Sequence, residues 1–202
     1  QSRGLGDVYK RQDKISNELT PMVATARLIK QEHPDASVVF IGPCASKKLE
    51  ASRRTVRSDV DFVITFEELT GMFEAKGILL DEIKAMDEMK DATAAGRGYG
   101  VAGGVANAIK ECIEQYYPGT PVNIQHAESL AECKKALLLA KAGKMNGCLI
   151  EGMACPGGCI AGAGTNIAIP VAARAVDKFK NEAEKKVPDE SVDQEMVELE
   201  KE

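Results

Sequence analysis

Apolar positions along the chain fall into two periods, one helical and one extended, and they alternate. Pro21 suits the first turn of a helix with Thr20 as its cap, and Met22, Val23, Ala26, Leu28 and Ile29 supply its apolar face to about His33. Ser37–Ile41 (SVVFI) is a β-branched and aromatic run ended by Gly42-Pro43, which predicts a buried strand. Asp61–Thr65 (DFVIT) repeats that pattern, and Phe66–Lys76 follows as a helix stopped by Gly77. The acidic stretch Leu79–Ala92 reads as a partly exposed helix. A glycine-rich segment, Gly96–Gly104, leads into a helix through about Tyr116, broken by Pro118-Gly119. Val122–Gln125 is a third strand, Ala127–Lys141 a helix closed by Gly143, Gly147–Glu151 a fourth strand, and Pro170 to about Lys186 a last helix. Strands alternating with helices imply an α/β fold: a mostly parallel β-sheet flanked by helices on both faces. In such a sheet the functional loops lie at the carboxyl ends of the strands.

Composition narrows the class. The 202 residues suffice for one domain with a core and are too few to argue for two; 44% are apolar, as in ordinary globular proteins. The net charge of −5 argues against nucleic acid as a partner. No apolar run approaches the roughly 18 residues of a membrane span, and no secretory signal is visible, so the expectation is a cytoplasmic protein. Residues 1–12 (QSRGLGDVYKRQ) lack an apolar period and resemble a non-native adapter. Residues 13–187 form the domain, and 188–202, with seven acidic residues and one Lys, read as a solvated tail.

The chemistry sits in the cysteines, at 44, 112, 133, 148, 155 and 159. A chain without a secretory signal uses cysteine for metal or core packing more often than for disulfides. Cys155 and Cys159 follow the fourth strand and enclose Pro-Gly-Gly, where two missing side chains let a bulky group meet the backbone. Their spacing differs from the two-residue gap common in zinc knuckles. Cys44 ends the first strand in Gly42-Pro43-Cys44-Ala45-Ser46-Lys47-Lys48-Leu49-Glu50, with Lys47 able to favour a thiolate. Taken singly, each is also compatible with a small buried side chain; together, at the ends of two parallel strands, they favour a shared metal site. Cys112, Cys133 and Cys148, within predicted elements, read as core. His126 reads as following a strand and capping the next helix.

Gly42–Glu50 resembles the second signature of the [FeFe] (iron-only) hydrogenases, Pro-Cys-x-x-Lys-Lys-x-Glu. Met153–Gly164 resembles the third, Met-Ala-Cys-Pro-Gly-Gly-Cys and a glycine-rich stretch. The two lie about 110 residues apart in the right order. The resemblance implies a partial hydrogenase catalytic domain of parallel sheets and helices around an H-cluster, a [4Fe–4S] cluster joined by one thiolate to a diiron subcluster. Carried over residue by residue, Cys44 and Cys155 match cubane ligands and Cys159 the shared ligand. Lys47 matches the lysine that donates to an iron-bound cyanide, and Met153 the methionine packed on the diiron unit. Pro43 belongs to the same pocket, and Pro21 and Met22 match residues lining it. Ser16 aligns with a serine of the family's proton path, or is a plain loop residue.

Gly98-Tyr99-Gly100-Val101-Ala102-Gly103 fits the Gly-x-Gly-x-x-Gly dinucleotide pattern, but an acidic helical stretch precedes it where a strand is required. Under the resemblance it is the turn that brings Tyr99 and Gly100 to the diiron pocket. The implied reaction is 2H⁺ + 2e⁻ ⇌ H₂, with ferredoxin or upstream iron–sulfur domains as electron partner and cluster-maturation proteins as assembly partners. A sensory relative and a non-catalytic iron–sulfur assembly relative are the alternatives. A cubane takes four cysteines and these motifs supply three. The first signature, Thr-Ser-Cys-Cys-Pro, is expected upstream of Ser16, so the fragment itself is expected to be inactive. Gly42, Met22 and Thr165 depart from the usual Met, Gln or His, and Gln; they weigh against a fast hydrogen-evolving parent and point to a divergent anaerobic-bacterial branch.

Overall fold

The computed structural model describes residues 15, 16, 18–53, 58–84 and 92–187. Two parallel strand pairs carry the architecture. β1 (Val39–Ile41) pairs with β2 (Phe62–Ile64), Val39 opposite Phe62 and Ile41 opposite Ile64. β3 (Asn123–Glu128) pairs over its whole length with β4 (Cys148–Met153). Among the described residues the helices are α1 (Pro21–Glu32), α2 (Ser46–Ser52), α3 (Phe66–Ala75), α4 (Ala94–Arg97), α5 (Gly104–Tyr116), α6 (Leu130–Lys141) and α7 (Ile169–Asn181). Each parallel pair needs a crossover; α2 lies within the first and α6 within the second.

The fold is α/β with parallel strands flanked by helices, as the alternation implies, but among the described residues the strands form two small sheets rather than one. The first sheet is covered on one face. Phe40 and Val63 pack against the core of Met22, Val23, Ala26 and Val60, whereas Val39, Ile41 and Phe62 point outward, Phe62 being 62% exposed. Strand alternation sends successive residues to opposite faces, so a run of four apolar residues, Val38–Ile41, still has an open side.

Several elements end where tertiary partners dictate. Thr20 precedes α1, but its hydroxyl caps nothing; it donates to Glu50 Oε1 at 2.6 Å. α3 carries a true capping box, Thr65 and Glu68 each bonding the other's backbone. The helix expected at Leu79–Ala92 reduces, among the described residues, to a 3₁₀ turn at Leu80–Glu82; 85–91 lie outside them. Leu79, Leu80 and Ile83 are all more than half exposed, so no packing supports a longer helix within residues 79–84. α7 stops at Asn181, short of Lys186, because the following chain serves α4. The Lys185 and Lys186 carbonyls accept the Ala94 and Ala95 N–H groups at 2.7 and 3.0 Å, donors that a helix start leaves unpaired. The adapter-like segment and the acidic tail lie outside the described residues. No helix among the described residues is long and apolar enough to cross a membrane.

Candidate metal centre

Both cysteine motifs occupy loops at the carboxyl ends of parallel strands. After β1 the ladder gains one more bond, Gly42 N–H to the Ile64 carbonyl at 3.1 Å, and the chain turns through Pro43-Cys44 into α2. Lys47, on the first turn of α2, pairs with Glu50 Oε2 at 2.6 Å. Glu50 is thus gripped by Lys47 on one oxygen and Thr20 on the other. Burial pushes its carboxyl up, but the Lys47 and Thr20 hydrogen bonds and the Lys47 and Arg53 charges outweigh it, leaving it below the ordinary value.

The second loop is built from backbone contact. Beyond β4 the Gly158 N–H returns to the Cys155 carbonyl at 2.9 Å, closing a turn, and Cys159 opens a 3₁₀ turn to Ala161. Gly158 has φ of 89°, and a Cβ there would strike the Ala102 nitrogen. On the other side, a Cβ on Gly162 would strike the Pro43 carbonyl oxygen, which also accepts the Gly164 N–H at 3.0 Å. The Cys155–Cys159 turn therefore lies between the Cys44 loop and the glycine-rich turn. Ala102 N–H donates to the Gly157 carbonyl at 3.1 Å, and Gly157 N–H to Glu128 Oε2 at 3.0 Å.

Electrostatics at Cys159 report the company it keeps. Its thiol pKa is pushed up, first by burial and next by Cys44, with smaller contributions from Cys155 and Glu151, while Lys47 opposes. The cysteines of two separate sheets, and the lysine of the first motif, thus act on one sulfur. Among the described residues, no three Cys, His, Asp or Glu side chains are arranged to hold a single metal ion.

The remaining predicted residues are more dispersed. Pro21 and Tyr99 line one apolar cavity of about 660 Å³ with Cys112, Ile113 and Tyr116. Burial pushes the Tyr99 phenol up, with Cys112 contributing, and burial pushes the Cys112 thiol up as well. Met22 does not share that cavity: one residue further around α1, it is buried in the core beside Val23. Gly100 faces Ile160 in the cysteine turn, and its carbonyl approaches Gly158. Met153 ends β4 paired with Glu128 and is half-buried. Ser16 is exposed, and its hydroxyl accepts the Glu18 N–H at 3.2 Å, a local loop bond.

Sequence reading passed over the carboxylate two residues before the third motif. Glu151, 7% exposed, accepts N–H groups from Gly103 (2.6 Å), Val105 (3.0 Å) and Ala106 (3.2 Å). His126 Nδ1 lies 3.2 Å from its Oε2. His126 was expected after a strand, capping a helix; it lies inside β3, which runs to Glu128, and Ser129 caps α6 instead. The ladder with β4 carries the strand past the polar residues at which local pattern would end it. Cys112, Cys133 and Cys148 are partly buried rather than deep core; Cys133 Sγ sits 3.5 Å from the Ala127 carbonyl oxygen, and Cys148 accepts from Asn123.

Residues 9–163 match the family described as iron only hydrogenase large subunit, C-terminal domain. The chain belongs to that family. Over 53 residues it is 43% identical to the cytosolic Fe-S cluster assembly factor NAR1 of Kluyveromyces lactis, a match covering 26% of this chain and 11% of that protein. A solved [FeFe]-hydrogenase, studied for oxygen inactivation through degradation of its H cluster 2Fe subcluster, superposes with a TM-score of 0.66 at 20% identity. That match covers 91% of this chain and 63% of the hydrogenase. A variant of the [FeFe]-hydrogenase HydA1 from Chlamydomonas reinhardtii gives 0.60 at 21% identity, covering 82% and 59%. At such identity these structures share the hydrogenase-domain fold, and the chain spans less than two thirds of each.

Proposed function

We propose that this chain supplies three of the four cysteine ligands of a [4Fe–4S] cluster, Cys44, Cys155 and Cys159, within an [FeFe]-hydrogenase. Cys159 would be the ligand shared with a diiron subcluster. The observation that carries this reading is the packing of the cysteine turn and the glycines after it on the Cys44 loop, where the Pro43 carbonyl accepts the Gly164 N–H at 3.0 Å and leaves no room for a Cβ on Gly162. The donor set suits iron–sulfur chemistry, since soft thiolates select it. In a cubane each thiolate binds a different iron, so the sulfurs need not converge as they would on a single ion.

When bound, an H-cluster supplies reversible interconversion of protons and electrons with H₂. The chain's own residues hold and screen it. Lys47 presents an ammonium donor to an anionic ligand, and Glu50 with Thr20 fixes where that ammonium sits. Pro43, Gly100 and Met153 would bound the group, Pro21 and Tyr99 would line an apolar approach to it, and Met22 supports α1 from the core. Ser16 stands on the proton route. Ferredoxin or upstream iron–sulfur domains pass electrons, and maturation proteins install the cluster. A second reading, an iron–sulfur assembly relative without the diiron unit, is favoured by the 43% identical segment shared with the assembly factor.

Anaerobic maturation of the parent protein that carries the fourth cysteine ligand, followed by iron analysis and infrared spectroscopy, separates these. Thiolate-to-iron absorbance lost in Cys155→Ala and Cys159→Ala is the expected result, and wild-type parent protein without such absorbance overturns the cluster site. Bands of CO and CN favour the hydrogenase reading. A cubane without them favours the assembly reading.

A further inference from the structure

We propose that Glu151 is a positioning residue for the cysteine turn, tying the glycine-rich turn and the start of α5 to β4 so that Cys155 and Cys159 are placed before a cluster arrives. The role rests on the cluster reading above and adds to it a residue that touches neither iron nor sulfur.

The geometry is specific. Glu151 lies four positions before Cys155, and its carboxylate is buried with both oxygens engaged. Oε2 takes the Gly103 N–H and faces His126 Nδ1; Oε1 takes the Val105 and Ala106 N–H groups. Gly103 has φ of 83° and directly precedes α5, so these donors are ones the helix cannot use itself. The field at a helix N-terminus favours the negative charge there. The far side of this tether is the wall against which the cysteine turn rests. Gly158 abuts the Gly100–Ala102 backbone with no room for a Cβ, and Ala102 N–H holds the Gly157 carbonyl. Displacement of the Gly100–Ala102 segment therefore removes the support of Gly158 and leaves Cys159 free to move. Glu128 grips Gly157 N–H from β3, so the turn is held by a carboxylate on each strand of the second sheet.

Two measurements on the full chain test this. In the metal-free protein, alkylation of each cysteine is followed by mass spectrometry for wild type, Glu151→Gln and His126→Ala. Glu151→Gln keeps the size but brings an NH₂ against backbone donors; Cys155 and Cys159 are expected to react about 10-fold faster. Cys44, held by its own loop, keeps its rate. His126→Ala removes one contact of four and gives a smaller increase in the same two thiols, which keeps the question open to decision if Glu151→Gln folds poorly. In the iron–sulfur-reconstituted protein, Glu151→Gln loses iron to a chelator about 10-fold faster and shifts the electron paramagnetic resonance of the reduced cluster. Unchanged rates at Cys155 and Cys159, or equal acceleration at Cys44, overturn the positioning role. If wild-type protein completed with the fourth cysteine ligand takes up no iron, the cluster reading fails while the alkylation result still decides on Glu151.

Discussion

The two cysteine loops are built by different physics. The Cys44 loop is held by side chains: Lys47, Glu50 and Thr20 form a partly exposed network joining α2 to α1. The Cys155–Cys159 loop is held by backbone: glycines pressed against neighbouring main chain, and carboxylates gripping N–H groups. A side-chain network yields by degrees as charge is screened or titrated. Main chain pressed on main chain has no rotamer to relax into, and it fails abruptly.

The largest effect should come from adding one carbon. Gly158→Ala meets both a positive φ and the Ala102 nitrogen, and should cost about 3 kcal/mol or more in urea unfolding. A loss under about 1 kcal/mol would mean that the backbone contact is not rigid. Next, Glu50→Ala removes the shared partner of Lys47 and Thr20 and should cost about 1 kcal/mol, an effect that shrinks in 1 M salt as an ion pair's should. The Gly158→Ala loss should not change with salt. A salt-independent Glu50→Ala cost would erase the contrast.

Acid sharpens the same comparison. Glu50 and Glu68 both titrate below their ordinary 4.5 in the folded chain, Glu68 at about 2 through its Lys48 hydrogen bond and the Thr65 N–H. A depressed folded value contributes stability above the unfolded pKa, lost as pH falls through the folded one. Melting temperature should therefore decline below about pH 4.5, and Glu50→Gln should flatten part of that decline; a parallel curve would remove Glu50 from the account. The smallest effect is expected at Lys178→Ala on α7, whose pair with Glu182 is highly exposed at 3.8 Å; unfolding should shift by a few tenths of a kcal/mol at most.

How much of the site was legible depended on the range of the chemistry. Cys44, Cys155 and Cys159 stand out because thiols beside glycine and lysine form local patterns, each within a few residues. Glu151 stands just ahead of the same motif and stayed silent, because its backbone partners lie 45 to 48 residues earlier. His126 was misplaced for a related reason: polar residues usually end a strand, but here a ladder to β4 continues through them. Thr20 shows the reverse case, a good cap by local rule whose hydroxyl is claimed by Glu50 from α2.

Local order alone settled the alternation of strands and helices, the glycines that permit tight turns, and the thiols themselves. Those depend on periods of two to four residues and on side-chain identity, which a linear chain displays directly. Only the tertiary structure decided that the strands split into two pairs, that Met22 enters the core while Pro21 lines a cavity, and that the Cys44 loop meets the Cys155–Cys159 turn. Such placements are sums of contacts between distant segments, among them Pro43 on Gly164, Gly157 on Ala102 and Glu151 on α5, each weak and none encoded by its neighbours in sequence.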